Sequence, residues 1–153
     1  MDFDSRAEEL FLEFQESEPS GGPTVSVVQT GKLVIACGAL PWKEGRMAYK
    51  GRLGLEVKLD TGKQAAFAAC MQALSAIRSH FSGTLNKIKQ VVSLRGYVAA
   101  GGEFYEHHKV LDGASQLLSD VFGAAGKHTR TAVGVASLPF GASVEIELIV
   151  ETK

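Results

Sequence analysis

Apolar residues recur along the chain with two different periods, and the change of period marks the predicted elements. Spacings of three and four residues predict three helices, at 5–17, from about residue 60 to the stop signal at Gly83, and at 110–121. Ser5 and Glu8 match a capping box, which predicts Ser5 as the N-cap of the first helix. Alternating or continuous apolar runs predict six strands, at 24–29, 33–37, 53–59, 91–98, 131–138 and 143–151. Residues 39–52 carry a proline and two glycines and are interpreted as a loop.

The resulting order, α-β-β-β-α-β-α-β-β, predicts a single domain over residues 1–153 of the α+β class. Strands joined through a helix indicate crossovers, and adjacent strands indicate hairpins. We therefore expect one mixed sheet with two long helices on one face and an N-terminal helical extension at 5–17. The inward stripe predicted for the second helix is Phe67, Cys70, Leu74, Ile77 and Phe81.

Composition excludes several classes of protein. The longest apolar runs are far shorter than the ~20 residues of a membrane helix, and the acidic N-terminus lacks the features of a secretory signal. Two cysteines are too few for a disulfide framework or a cysteine zinc site, so we expect a cytoplasmic protein without a metal. The 16 basic and 17 acidic residues give a net charge of −1, which argues against a nucleic-acid partner.

Candidate chemistry begins at Arg130, which opens an apolar strand. Burying a guanidinium without a partner is costly, and two interpretations remain open. Arg130 either forms an ion pair at a strand edge or acts as an anion receptor, because its planar fork matches a carboxylate. Glu145 and Glu147 lie opposite the aliphatic stripe of the last strand, where they are solvated in a monomer or reach a subunit cleft in an oligomer.

Two segments resemble the RidA/YjgF family, also catalogued as L-PSP endoribonuclease-like proteins. Residues 130–139 have the sequence RTAVGVASLP and are followed by VEIE at 144–147, and residues 31–41 have the sequence GKLVIACGALP. The resemblance covers about residues 24–151. The segments DGAS at 112–115 and VFG at 121–123, with the pair His128 and Arg130, resemble a longer bacterial subgroup.

The resemblance implies a chorismate-mutase-like α+β fold in a homotrimer, with a barrel-like core of three sheets and three sites in clefts between subunits. It implies an enamine/imine deaminase, a hydrolase that converts 2-imino acids to 2-oxo acids and ammonia without a cofactor. The expected partner is then a small molecule that bears a carboxylate. The alternative is a non-catalytic trimer that binds a 2-oxo acid or another carboxylate as a regulatory ligand.

Site residues follow from the same resemblance. Arg130 would bind the substrate carboxylate, Glu145 would hold or polarise the attacking water, and Gly38 would be the small residue beside the ligand. Four further pocket positions differ from common family residues: Thr24 replaces Tyr, Cys37 replaces Ser, Asp112 replaces Asn and Ala132 replaces Cys.

Overall fold

A five-stranded sheet organises the fold. The computed structural model describes residues 2–16 and 22–153, and its sheet has the strand order β1-β2-β7-β5-β6. Neighbouring strands are antiparallel except for the parallel pair of β5 and β6, and β3 pairs with β4 in a separate two-residue hairpin. The elements are α1 (Phe3–Glu9), β1 (Val27–Thr30), β2 (Leu33–Ala39), β3 (Trp42–Lys43), β4 (Arg46–Met47), α2 (Leu59–His80), β5 (Ile88–Ala99), α3 (His107–Phe122), β6 (Thr129–Val135) and β7 (Val144–Thr152).

The two long helices pack on one face of the sheet, as predicted. Every second residue of β7 from Val144 to Val150 is fully buried, and so is Leu94, the partner of Leu148 in β5. Successive side chains of a strand point to opposite faces, so these residues form one apolar face for α2 and α3. The opposite face carries Glu147, Arg95 and Val133 and stays partly exposed. These elements confirm the α+β class and the mixed sheet.

Small residues allow the two long helices to approach closely. The buried residues of α2 are mainly small, and only three of them are large: Gly62, Ala65, Ala66, Ala69, Cys70, Gln72, Ala73, Leu74, Ser75, Ala76 and Ile77. Gly113 of α3 lies directly on the backbone of Lys63 in α2. The predicted inward stripe was wrong at Phe67, which is 40% exposed on the outer side of α2. None of the described helices has the length and apolar composition needed to cross a bilayer.

The N-terminal helix is shorter than the predicted range 5–17, and it starts earlier. Asp2, not Ser5, is the N-cap, because its side chain accepts a hydrogen bond from the Ser5 amide. The helix ends at Glu9, and Phe11 follows with a φ of 56°. Residues 12–16 have no regular structure, and residue 17 lies outside the described residues. Burial of Phe3 and Ala7 holds this helix against the core.

The strand predicted at 53–59 was also wrong. Leu53 and Val57 are buried, but the chain turns between them at Gly54, where φ is 83°. Leu53 forms only isolated bridges, to Val57 and to the residue after β5, and Leu55 remains 58% exposed. The alternation of apolar residues here comes from a turn that buries two of its side chains. The predicted loop at 39–52 contains the short β3–β4 hairpin.

Substitution of Gly113 by alanine tests the close helix crossing. The added methyl group would overlap the carbonyl of Lys63, which is backbone and cannot move without shifting α2. We expect a loss of unfolding free energy of about 2 kcal/mol or more, as for other overpacked sites. Urea or thermal unfolding measures the loss. Gly102→Ala is the matched control, because no atom lies within 4 Å of its added methyl group, and an equal effect of both substitutions would contradict the crossing.

Candidate functional site

Arg130 lies on β6, an edge strand, and its side chain points to the helix-covered face. Its register partner is Leu94, which is fully buried on that face. Nη1 of Arg130 donates to Oδ1 of Asp112 at 2.8 Å and to Oγ of Ser115 at 3.2 Å. The side chain of Arg130 is 25% exposed, and that of Asp112 is 55% exposed. The guanidinium is therefore ion-paired through one nitrogen, while the described residues leave its Nε and Nη2 without a hydrogen bond.

A directed chain of hydrogen bonds fixes Ser115 beside Arg130. The Gly126 carbonyl can only accept, so Nδ1 of His128 donates to it at 2.6 Å. In the neutral ring Nε2 is then the acceptor, and the Ser115 hydroxyl donates to it at 2.9 Å. The Ser115 oxygen thus has lone pairs free to accept from Arg130. Both acceptors of Arg130 lie on one side of α3, because they are three residues apart.

A second group of predicted residues lines a cavity of about 680 Å³ near β1 and β2, at the end of the sheet opposite β6. Thr24, Cys37, Gly38 and Glu145 all contribute to its wall, and so do residues of α2. The register between β2 and β7 shifts between Ala36 and Ala39, which is typical of a β-bulge. Gly38 lies in this bulge with a φ of 74°, a conformation that favours glycine.

Burial controls the protonation of this cavity's acidic groups. Loss of solvent raises the pKa of the Glu145 carboxyl above its ordinary value. The pKa of the Cys37 thiol is also raised, first by burial and then by the charge and hydrogen bond of Glu147. Cys70 lies in the core, where burial raises its pKa to about 12. In the described part of the chain, no three His, Cys, Asp or Glu side chains are grouped to hold a metal ion.

The chain brings these predicted residues together in two separate groups. Arg130 and Asp112 are in contact, and Ala132 follows on the same side of β6, half-buried against the core. Glu145 lies two strands away, because β5 separates β7 from β6, a distance of about 10 Å between strands. The register partner of Glu145 in β5 is Tyr97, which is in turn paired with Val133 of β6. These residues lie on the open face of the sheet, the partly exposed face that no helix covers. Arg130 and Glu145 of one chain therefore point to opposite faces of the sheet.

Ser115 and His128 are candidate site residues that the sequence motifs do not identify. Their motifs resemble a subgroup of the family but give neither side chain a role. The available signal was their spacing: Ser115 follows Asp112 by three residues on a helix, and His128 precedes Arg130 by two residues at a strand. Only the packing of α3 on β6 shows that the side chains of Ser115 and His128 face each other.

Comparison with known proteins gives one consistent result. The family model described as "YjgF/chorismate_mutase-like, putative endoribonuclease" matches residues 5–152. The Trypanosoma cruzi protein TCP17 is 39% identical over 128 residues, which are 83% of this chain and 79% of that protein.

Two solved structures resemble the chain over nearly its whole length. A protein of unknown function from Agrobacterium tumefaciens is 37% identical, with a TM-score of 0.91 over 99% of this chain and 93% of that one. A protein from Shewanella oneidensis, described as a putative endoribonuclease, is 29% identical, with a TM-score of 0.94 over 99% of both chains.

The alkylation rate of Cys37 tests the electrostatics of the cavity. Because the thiolate is the reactive form, a raised pKa slows reaction with iodoacetamide at pH 8 relative to a free cysteine. Removing one negative neighbour by Glu147→Gln lowers the pKa of the Cys37 thiol, so we expect a several-fold faster reaction. Glu151→Gln, on the same face of β7 but farther along the strand, is the control. Equal rates in all three proteins would contradict the assigned cause.

Proposed function

The chain belongs to the YjgF/chorismate-mutase-like family, and we propose that it is an enamine/imine deaminase that works between the subunits of a homotrimer. The substrate in this proposal is a 2-imino acid, and the products are a 2-oxo acid and ammonia. Residues 1–153 act as one domain, with α1 as an N-terminal extension. Arg130 and Glu145 are the proposed catalytic residues, and neither needs a cofactor for this reaction.

The placement of Arg130 and Glu145 on opposite faces is the observation that carries the proposal. A water held by Glu145 cannot reach a carbon whose carboxylate is bound to Arg130 of the same chain. A ring of subunits can bring the two groups together. In a head-to-tail contact, one edge of a chain meets a different edge of an identical chain, and repeated contacts of this kind form a closed ring when the rotation between subunits allows it. In the proposed ring, the β6 edge of one chain meets the cavity near β2 of the next.

Exposed apolar residues support a contact of this kind. Val133 on β6 is 38% exposed, and at the opposite edge of the sheet Leu33 and Val28 are 41% and 52% exposed. Apolar side chains grouped on the surface are typical of an interaction surface. Burial of these residues by a neighbouring subunit would also enclose the Arg130 half-site and the Glu145 half-site in one cleft.

The reaction requires the protein mainly to orient the substrate and the attacking water. The substrate carboxylate accepts hydrogen bonds from Nε and Nη2 of Arg130, the two nitrogens that the described residues leave available. The guanidinium then draws electron density from the adjacent C=N carbon, and a water adds there. Nitrogen takes up protons and leaves as ammonia, so that R–C(=NH)–COO⁻ and H₂O give R–CO–COO⁻ and NH₃. The reaction involves no change of oxidation state.

Glu145 is suited to move the protons in this sequence. Burial raises the pKa of its carboxyl, which brings proton exchange closer to neutral pH. It can accept a proton from the attacking water and return it to the leaving nitrogen. The raised pKa of Cys37 keeps that thiol neutral, so we assign it to the wall of the pocket and not to nucleophilic attack. Thr24, Gly38, Asp112 and Ala132 complete the proposed wall.

Replacement of Arg130 tests the proposed function. Imines are generated in situ by an amino-acid oxidase from alanine or leucine, and semicarbazide traps the fraction that survives. We expect wild type to divert the imine from the trap, Arg130→Ala to lose about 100-fold or more of that activity, and Arg130→Lys to retain part of it. Arg52→Ala, which removes an exposed guanidinium paired with Glu56, is the control.

Different results would contradict different parts of this proposal. Wild-type protein that is folded and trimeric but accelerates none of several imines would contradict a deaminase. If such a protein still binds 2-oxobutyrate and Arg130→Ala does not, the carboxylate-binding regulatory trimer becomes the function. Undiminished activity of Arg130→Ala would contradict the role of Arg130 even if the deaminase activity is real.

A further inference from the structure

Asp112 cancels charge at the place where the proposed substrate carboxylate binds. Its Oδ1 lies 2.8 Å from Nη1 of Arg130 and engages that nitrogen alone. A carboxylate bound to the remaining nitrogens of the guanidinium would therefore lie a few ångströms from a second carboxylate. Like charges at this separation repel, and the repulsion grows when a cleft excludes water. A guanidinium without an ion-pair partner would bind a simple monoanion more strongly.

The neighbouring charges do not restore an excess of positive charge. Lys109, one turn before Asp112 on α3, is bonded to Glu106 through Nζ and Oε1 at 2.8 Å. Lys63 also acts on Glu106, so three cations, Arg130, Lys109 and Lys63, lie near two anions, Asp112 and Glu106. In the proposed cleft, Glu145 of the second half-site makes the two numbers equal. These groups therefore provide no excess of positive charge with which to attract a substrate whose only charge is a carboxylate.

The second oxygen of Asp112 is available to a ligand. The described residues donate hydrogen bonds only to Oδ1, and the side chain is 55% exposed. An oxygen in this position accepts well from an ammonium or a guanidinium group. Ser115 accepts from the same Nη1 of Arg130 as Asp112 does, so both bonds leave Nε and Nη2 of Arg130 beside Oδ2 of Asp112.

We propose that Asp112 is a specificity-determining residue that selects 2-imino acids with a cationic side chain. This inference rests on the proposed function. The substrate carboxylate binds Nε and Nη2 of Arg130, and its side-chain cation binds Oδ2 of Asp112. A flexible side chain of three or four carbons is long enough to place a cation beside the ion pair. Asn, the residue common at this position in the RidA/YjgF family, would keep the shape of the side chain and remove the selection for a cation.

Imines of arginine and citrulline provide the test, because these amino acids have the same length and nearly the same shape but differ in side-chain charge. An L-amino-acid oxidase with catalase generates both imines, and semicarbazide traps what the protein does not hydrolyse. We expect wild type to favour the arginine-derived imine by about two- to fivefold, the upper part of the range for an exposed charge pair. Asp112→Asn should bring this ratio close to one. Asp120→Asn, on the same helix and bonded to Gln116, should leave it unchanged.

A binding measurement separates failure of this inference from failure of the proposed function. The 2-oxo acids of arginine and citrulline are titrated calorimetrically into wild type and Asp112→Asn. A preference for the cationic ligand that disappears in Asp112→Asn supports the selection even if no imine is hydrolysed. A ratio of arginine-derived to citrulline-derived imine hydrolysis that is the same in wild type and Asp112→Asn would overturn the inference. A loss of activity that is equal for both imines would also overturn it, because Asp112 would then act on a feature common to all imines.

Discussion

The alternation of side chains along β6 and β7 is the constraint on which the account depends. Two strands of one sheet, separated by β5, present Arg130 to the helix-covered face and Glu145 to the open face. No rotamer change can bring both groups to one small substrate, since the sheet lies between them. Under the proposed function, the chain therefore carries two half-sites, and deaminase activity needs an edge of one subunit against the cavity of another.

Helix packing determines what each half-site contains. The alanines of α2 and the contact of Gly113 with Lys63 let α3 lie close to both α2 and the sheet. This position brings Asp112, the neighbour of Gly113, and Ser115 against Arg130 on β6. The charge of the proposed carboxylate anchor is thus set by a helix on the same chain. In this chain the proposed receptor is an Arg–Asp pair and not an unpaired Arg.

Much of the fold follows from the sequence because its longest elements have clear periods. The apolar positions of β7 alternate without interruption, and α3 repeats with a helical period, so both were predicted within a few residues of their ends. The prediction failed at 53–59 because a turn at Gly54 buries Leu53 and Val57 with the spacing of a strand. It failed at α1 because Asp2 and Ser5 are both good caps, and packing of Phe3 decides between them.

The site was only partly accessible to sequence reasoning. Motifs identified Arg130 and Glu145 as candidates, but one-dimensional spacing does not show which face of the sheet each side chain takes in relation to the other. The pairing of Asp112 with Arg130 depends on how α3 crosses β6, over a separation of 18 residues. The same crossing brings Ser115 and His128 together, and their spacings from Asp112 and Arg130 do not by themselves show that the two side chains meet.

Activity of mixed assemblies tests the central claim most directly. Arg130→Ala and Glu145→Ala proteins are inactive alone in this account, and they are unfolded together and refolded at a 1:1 ratio. If each site takes Arg130 from one subunit and Glu145 from the next, random mixing restores about one quarter of the sites, because each contribution is intact in half of the subunits. The account predicts about that fraction of wild-type imine hydrolysis. No recovery in the mixture, with trimers shown to have formed, would contradict a site shared between chains.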